Sequence, residues 1–152
     1  MNVIALVGLV SIEKIQLVIE VATHYTWDTD KTVTIIDNVA RLAIDPVQLS
    51  DEPLIRVNGD LTDGLVDHLH DINSDIVLIA VSEAAELDNL FVSLDIITEQ
   101  LPHIKLVTIG LIDLRTCDCF PHIRETIEDY ADVHFLAPFD VNAIIGVING
   151  NG

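Results

Sequence analysis

The residues best suited to chemistry follow the first apolar segment of the chain. Gly8 and Lys14 have the spacing of a phosphate-binding loop, G-x-x-x-x-G-K-[ST]. In such a loop the glycines let backbone N–H groups surround phosphate oxygens, the lysine supplies positive charge, and the hydroxyl binds magnesium. Here Glu13 replaces the second glycine and Ile15 replaces the hydroxyl residue. The spacing indicates a degenerate nucleotide site in which Gly8, Ser11 and Lys14 remain and the magnesium ligand is lost.

The elements that position this loop alternate along the whole chain. Continuous runs rich in Val and Ile predict strands buried on both faces of a parallel sheet, and apolar residues at helical spacing predict helices. Ser11 is the predicted N-cap of the first helix. The predicted strands are 2–10, 31–38, 54–57, 75–81, 105–112 and 133–137, and the predicted helices are 12–22, 61–72, 82–100, 122–130 and 141–148. This alternation predicts an α/β three-layer sandwich, with a mostly parallel sheet and helices on both faces, in a single domain over residues 1–152.

The charge of the chain excludes several classes of function. There are 25 acidic side chains against 7 basic ones, and the net charge is −18. A nucleic-acid binder needs a basic surface, so we expect no nucleic-acid partner. No apolar run reaches the roughly 18 residues of a membrane span, and the first residues lack the basic region of a signal peptide. We therefore expect a cytoplasmic protein without a membrane partner, whose acidity reflects either a solvated surface or adaptation to high salt.

Three later segments complete a pattern that begins with the loop at Gly8. Residues 37–45 keep the last two residues of N-[ED]-F-G-E-x-G-I-D, and residues 80–87 keep Ser82, Ala85 and Glu86 of a strand-end motif, E-[TS]-[TS]-G-x-[AS]-[DE]-P. Residues 131–140 keep Asp140 of A-D-x-x-x-x-N-K-x-D but lose its Asn and Lys. In order and spacing, residues 1–142 resemble the metal-chaperone GTPase family that includes CobW, HypB and UreG, and are most similar to the CobW branch.

The resemblance implies a P-loop NTPase-like fold, GTP as the nucleotide, and a guanine-reading role for Asp140. It also implies dimers with nucleotide sites near partner surfaces. The cysteines of the family's C-x-C-C motif are absent after Asn58 and Gly59, and each catalytic motif has lost residues. Because hydrolysis relies on lysine, magnesium and ordered loops together, we expect no catalytic residues and no GTPase activity.

The leading hypothesis is a pseudo-GTPase that serves as a protein-interaction or regulatory module, pairing with a protein partner or with itself, and without a cofactor. A remaining nucleotide site at Gly8, Ser11, Lys14 and Asp140 would still bind GTP without hydrolysing it. In the alternative interpretation of these residues, Lys14 is a solvated residue at a helix start and Asp140 is the N-cap of the last helix.

A second hypothesis concerns metal delivery or sensing. Cys117, Cys119 and His122 form the densest cluster of soft ligands in the chain. In an extended loop residues 117 and 119 would point the same way, and with His122 they would supply three ligands of a zinc site. The alternative is that both cysteines are free thiols in a loop.

Overall fold

The computed structural model describes residues 1–10, 12–39, 43–49, 51–62, 64–82 and 85–151, apart from the side chains of residues 115–117 and 151. Within these ranges the chain forms six strands and six α-helices. The strands are β1 (Asn2–Val7), β2 (Val33–Val39), β3 (Leu54–Asn58), β4 (Ile76–Ala80), β5 (Lys105–Ile112) and β6 (Val133–Leu136). The helices are α1 (Ile12–Asp28), α2 (Leu65–Asp71), α3 (Leu87–Gln100), α4 (Leu114–Cys119), α5 (Pro121–Tyr130) and α6 (Val141–Asn151). A short 3-10 turn covers Pro46–Gln48.

The strands form one sheet in the order β3-β2-β4-β1-β5-β6, and every neighbouring pair is parallel. β1 lies between β4 and β5, so that Val3 is aligned with Val77 on one side and Leu106 on the other. The prediction of an α/β sheet of parallel strands is therefore confirmed. Because parallel strands place their carboxyl ends at one edge, the loops after β1, β2, β4 and β5 meet there.

Two apolar layers cover the two faces of the sheet. On one face, Ile4 and Leu6 of β1 belong to a cluster with residues of α1 and α6, such as Val18 and Ile144. On the other face, the intervening strand residues belong to a cluster with α2 and α3. Burial on both faces explains why the strands have continuous apolar runs rather than alternating ones.

Several predicted boundaries differ from the observed ones, and the backbone conformation of a glycine explains two of them. β1 ends at Val7 instead of continuing to residue 10, because Gly8 has a φ of +153°. α2 begins at Leu65 because Gly64, with a φ of +81°, stands at its N-cap. α3 begins at Leu87 rather than at residue 82.

The C-terminal third contains helical structure that the sequence pattern did not reveal. α4 occupies 114–119, where the zinc hypothesis assumes a loop, and α6 continues to Asn151, three residues beyond its predicted end at residue 148. No helix in the described part of the chain is both long and apolar enough to cross a lipid bilayer.

Candidate functional site

Gly8 forms the turn between β1 and α1 at the carboxyl edge of the sheet. Its φ of +153° is a conformation that residues with a side chain rarely adopt. A β-carbon at this position would also press against the carbonyl oxygen of Leu111 in the neighbouring strand β5. Glycine is thus required here by close packing of two backbones, whether or not phosphate binds.

Lys14 lies in the first turn of α1, with only 3% of its surface exposed. Its ammonium group donates hydrogen bonds to the carbonyl oxygens of Gly8, at 2.8 Å, and Val81, at 2.6 Å. Lys14 therefore joins the loop after β1 to the end of β4. The interpretation of Lys14 as a solvated residue is wrong, because a buried ammonium group must be paired, and here two backbone carbonyls pair it.

The positions that differ from a phosphate-binding loop flank Lys14 in the same helix. Glu13 is exposed in the first turn of α1, and its carboxylate lies where the motif has a glycine. Ile15 is partly buried and packs against the core cluster beneath α1. An apolar side chain thus occupies the position of the magnesium-binding hydroxyl. Ser11, the other residue predicted for this site, lies outside the described residues.

Asp140 is exposed before α6, where its Oδ1 accepts a hydrogen bond from the backbone N–H of Asn142 at 2.9 Å. This is the geometry of an N-cap, in which a side-chain oxygen binds an otherwise unpaired N–H of the first helical turn. The capping interpretation of Asp140 is confirmed. The sheet edge also contains the preceding loop, in which Ala137 and Pro138 stand at the Asn and Lys positions of the guanine motif.

Asn38 is a buried polar residue at this edge that the sequence motifs did not single out. Its Nδ2 donates to the carbonyl oxygens of Val57 and Gly59, both at 3.1 Å, and its Oδ1 accepts from the N–H of Ser82 at 2.9 Å. One amide thereby holds the ends of β2, β3 and β4 together. The sequence signal that could have identified Asn38 is an uncharged polar residue at the end of a continuous apolar strand.

Asp37 is buried beside Asn38, on the opposite face of the sheet. Burial raises the pKa of its carboxyl group above the ordinary value, while the hydrogen bond from the N–H of Ile44, at 2.8 Å, and the charge of Arg56 act to lower that pKa. Arg56 also donates to the carbonyl oxygen of Ile44 at 2.8 Å. Asp37 and Arg56 together fix the chain near residue 44, after β2.

Two cavities open near the carboxyl edge. One, of about 370 Å³, lies over the ends of β2, β3 and β4 and is lined by Asn89, Asp60 and Ser82 among others. The other, of about 450 Å³, lies between α1, the start of α4 and the loop 137–139, and we call it the α1 groove. It is lined by Glu13, Gln16, Leu17, Glu20, Leu114, Ala137, Pro138 and Phe139.

The predicted zinc ligands are not arranged as the sequence suggested. Residues 117–119 are helical rather than extended, and helical geometry places positions i and i+2 on different faces. The thiol of Cys119 is free and exposed, and His122 lines a cavity of about 260 Å³ with Glu86 and Asp88. The side chain of Cys117 lies outside the described part. Among the described side chains, no group of three or more His, Cys, Asp or Glu residues is placed to hold a metal ion.

Among solved structures, this chain is similar to the signal recognition particle receptor FtsY from Elizabethkingia anophelis, with a TM-score of 0.59 and 16% sequence identity over 89% of this chain. The two chains share an α/β fold with a parallel sheet, and FtsY is a P-loop GTPase. This confirms the predicted P-loop NTPase-like architecture. The chain spans 48% of that FtsY chain, and at this identity the similarity establishes the fold alone. No family model and no curated protein matches the chain.

Proposed function

We propose that this chain is a pseudo-GTPase: a P-loop-type domain that no longer binds and hydrolyses GTP productively and acts as a protein-interaction or regulatory module. Its membership of the CobW branch is part of the proposal and rests on the order of motifs over residues 1–142. The similarity to FtsY supports the P-loop type of fold on which the proposal depends.

The environment of Lys14 is the observation that carries the proposal. For its ammonium group to reach a phosphate, it would have to leave the carbonyl oxygens of Gly8 and Val81. Each buried carbonyl left without a donor costs about 1–3 kcal/mol. The exposed carboxylate of Glu13, one residue away, would in addition repel the phosphate charge.

The magnesium position supports the same conclusion. Phosphoryl transfer in this fold class depends on a metal ion that bridges the phosphates and is held by the hydroxyl after the loop lysine. Ile15 cannot supply that ligand, because its side chain is apolar and packs against the core cluster. Loss of one such stabilising group commonly costs about 10²–10³ in rate.

Titration with a fluorescent GTP analogue and magnesium tests the proposal, together with an assay of phosphate release. We expect no saturable binding in the micromolar range and a release rate equal to that of buffer. The double variant Glu13→Gly/Ile15→Thr restores the two lost motif residues and serves as the comparison. Micromolar binding and turnover by the unmodified protein would show that the proposal is wrong.

A nucleotide-binding metal-delivery or metal-sensing protein is the second candidate. The observation in its favour is that Cys119, at the end of α4, and His122, near the start of α5, are both exposed. Stoichiometric zinc in protein purified without a tag, lost in Cys117→Ser, would support this candidate. Protein without zinc after incubation with the metal would exclude it.

A further inference from the structure

The α1 groove is lined in part by apolar side chains, which range from buried Leu17 to exposed Leu114. Leu17, from α1, forms its base, while Leu114 and Phe139 contribute from across the groove. Leu114 is 78% exposed, an unusual value for a large apolar side chain at the rim of a cavity of about 450 Å³. Partial burial of Phe139 against the core anchors that wall of the groove.

One wall of the same groove is acidic. Glu13 and Glu20 lie at helical spacing from Leu17, so both carboxylates line the groove along one stripe of α1. Both are exposed, and neither forms a side-chain hydrogen bond or ion pair within the described part of the chain. The stripe spans two helical turns, or roughly 10 Å, at 1.5 Å per residue.

We infer that the α1 groove binds an amphipathic helix of a protein partner, with an apolar face for Leu17, Leu114 and Phe139 and lysine or arginine residues for Glu13 and Glu20. This inference rests on the proposed function, for which it names the partner's chemistry. Helices that enter apolar grooves present anchors at i, i+3, i+4 and i+7, a spacing that fits a stripe of two turns.

The acidic charge of the groove favours a cationic helix over two other occupants, a second copy of the chain and a nucleotide. A second copy of the chain would bring a further net charge of −18 against Glu13 and Glu20, which opposes self-association through this face. A nucleotide would place its phosphates near the same carboxylates. A cationic helix is attracted by both the local rim and the whole molecule.

The probe is a fluorescein-labelled synthetic helix of about 14 leucine and lysine residues. Its leucines stand at positions i, i+3, i+4 and i+7, the spacing of helices that bind in apolar grooves. Its counterpart with glutamate in place of lysine is the control peptide. Fluorescence anisotropy should show saturable binding of the lysine peptide and none of the glutamate peptide. Absence of saturable binding of the lysine peptide would overturn the inference.

Matched protein variants separate the groove from general attraction to an acidic protein. Glu13→Lys/Glu20→Lys should weaken binding of the lysine peptide about tenfold. The control, Asp95→Lys/Glu99→Lys, changes the net charge by the same amount at exposed positions of α3. It should weaken binding of the peptide less than about twofold. Equal weakening by both double variants would overturn the inference.

A second pair of variants tests the apolar side chains of the groove. Leu114→Ala should weaken binding at least about threefold. Val92→Ala, which shortens another exposed apolar side chain, on α3, should leave the binding unchanged. An unchanged affinity in Leu114→Ala would overturn the inference. These outcomes are independent of GTP: failure of the peptide to bind leaves the pseudo-GTPase proposal intact, and GTP turnover would refute that proposal whatever the peptide does.

Discussion

At the scale of single residues, Lys14 stands at the lysine position of a phosphate-binding motif but has contacts that stabilise the fold. In a phosphate-binding loop the lysine is required for its charge. Here its ammonium group is buried and bonded to Gly8 and Val81, so it stabilises the contact between two loops at the sheet edge. Since its burial would be costly without these partners, the hydrogen bonds of Lys14 give it a role in folding.

Lys14→Met should lower the free energy of unfolding by about 2–4 kcal/mol, because two buried carbonyl oxygens lose their donor. Urea denaturation followed by circular dichroism measures the change. Lys105→Met, at an exposed position, is the control and should change stability by less than about 0.5 kcal/mol. Equal stability of the two variants would mean that the lysine bonds contribute nothing.

The raised pKa of Asp37 predicts a pH dependence of stability. Below pH 3.8, the ordinary pKa of this carboxyl group, the group is protonated in both the folded and the unfolded protein. Its stabilising contribution to the free energy of unfolding is then fully present. As the pH rises towards the higher folded pKa, the unfolded state loses its proton first, so this contribution is lost. The stability of Asp37→Asn relative to the unmodified protein should therefore increase across that pH window.

The midpoints of urea unfolding, measured from acidic to neutral pH, provide the test. Asp75→Asn is the control, because its effect on stability should depend on pH in the opposite direction. The backbone N–H of Thr32 holds the pKa of Asp75 below its ordinary value. The advantage of the unmodified protein over Asp75→Asn should therefore decline as the pH falls below 3.8. A stability difference for Asp37→Asn that does not change with pH would contradict the assignment.

At the scale of elements, the β1–α1 connection depends on a contact between strands that the local sequence does not contain. Gly8 is the residue that lets the chain leave β1 close to the backbone of Leu111 in β5. Gly146, by contrast, lies on the exposed side of α6, with open space at its β-carbon position. The two glycines therefore have opposite energetic roles.

Gly8→Ala should destabilise the protein by more than about 2 kcal/mol, through both the backbone conformation and the clash. Gly146→Ala should stabilise it by about 0.5–1 kcal/mol, because alanine has the higher helix propensity. Thermal unfolding of both variants against the unmodified protein gives the comparison. A stable Gly8→Ala protein would show that this turn has freedom to adjust.

At the scale of the whole molecule, the acidic charge and the apolar core have opposite effects on the stability of the folded protein. A net charge of −18 on 152 residues produces self-repulsion that opposes the compact state. The two apolar layers on either side of the sheet supply the compensating stabilisation. Of the two explanations of the acidity, a solvated surface and adaptation to high salt, the second concerns this balance.

The unfolding temperature should rise steeply with potassium chloride between about 10 mM and about 150 mM, because the Debye length falls from about 30 Å to about 8 Å over that range. Differential scanning calorimetry measures the effect at concentrations where salt-specific hydration is small. Asp95→Lys/Glu99→Lys, with a smaller net charge, should show a weaker dependence. An unfolding temperature independent of salt would indicate that the charges are too far apart to repel.

The sequence by itself determined the α/β class, the alternation of elements and the position of the β1–α1 loop. These properties depend on local apolar periodicity and on residue types within one loop. β5 was predicted at its observed bounds, 105–112, for that reason. Helix α4 was missed because its six residues are too few to establish a helical period.

Only the tertiary structure decided what Lys14 and Gly8 do. The carbonyl oxygen that Lys14 contacts at Val81 is 67 residues away, and the backbone beside Gly8 belongs to β5. Likewise, Leu17 and Phe139 line the same groove because β5 and β6 follow β1 in the order of the sheet. Strand order is set by the packing of all the elements together, and no local pattern encodes it.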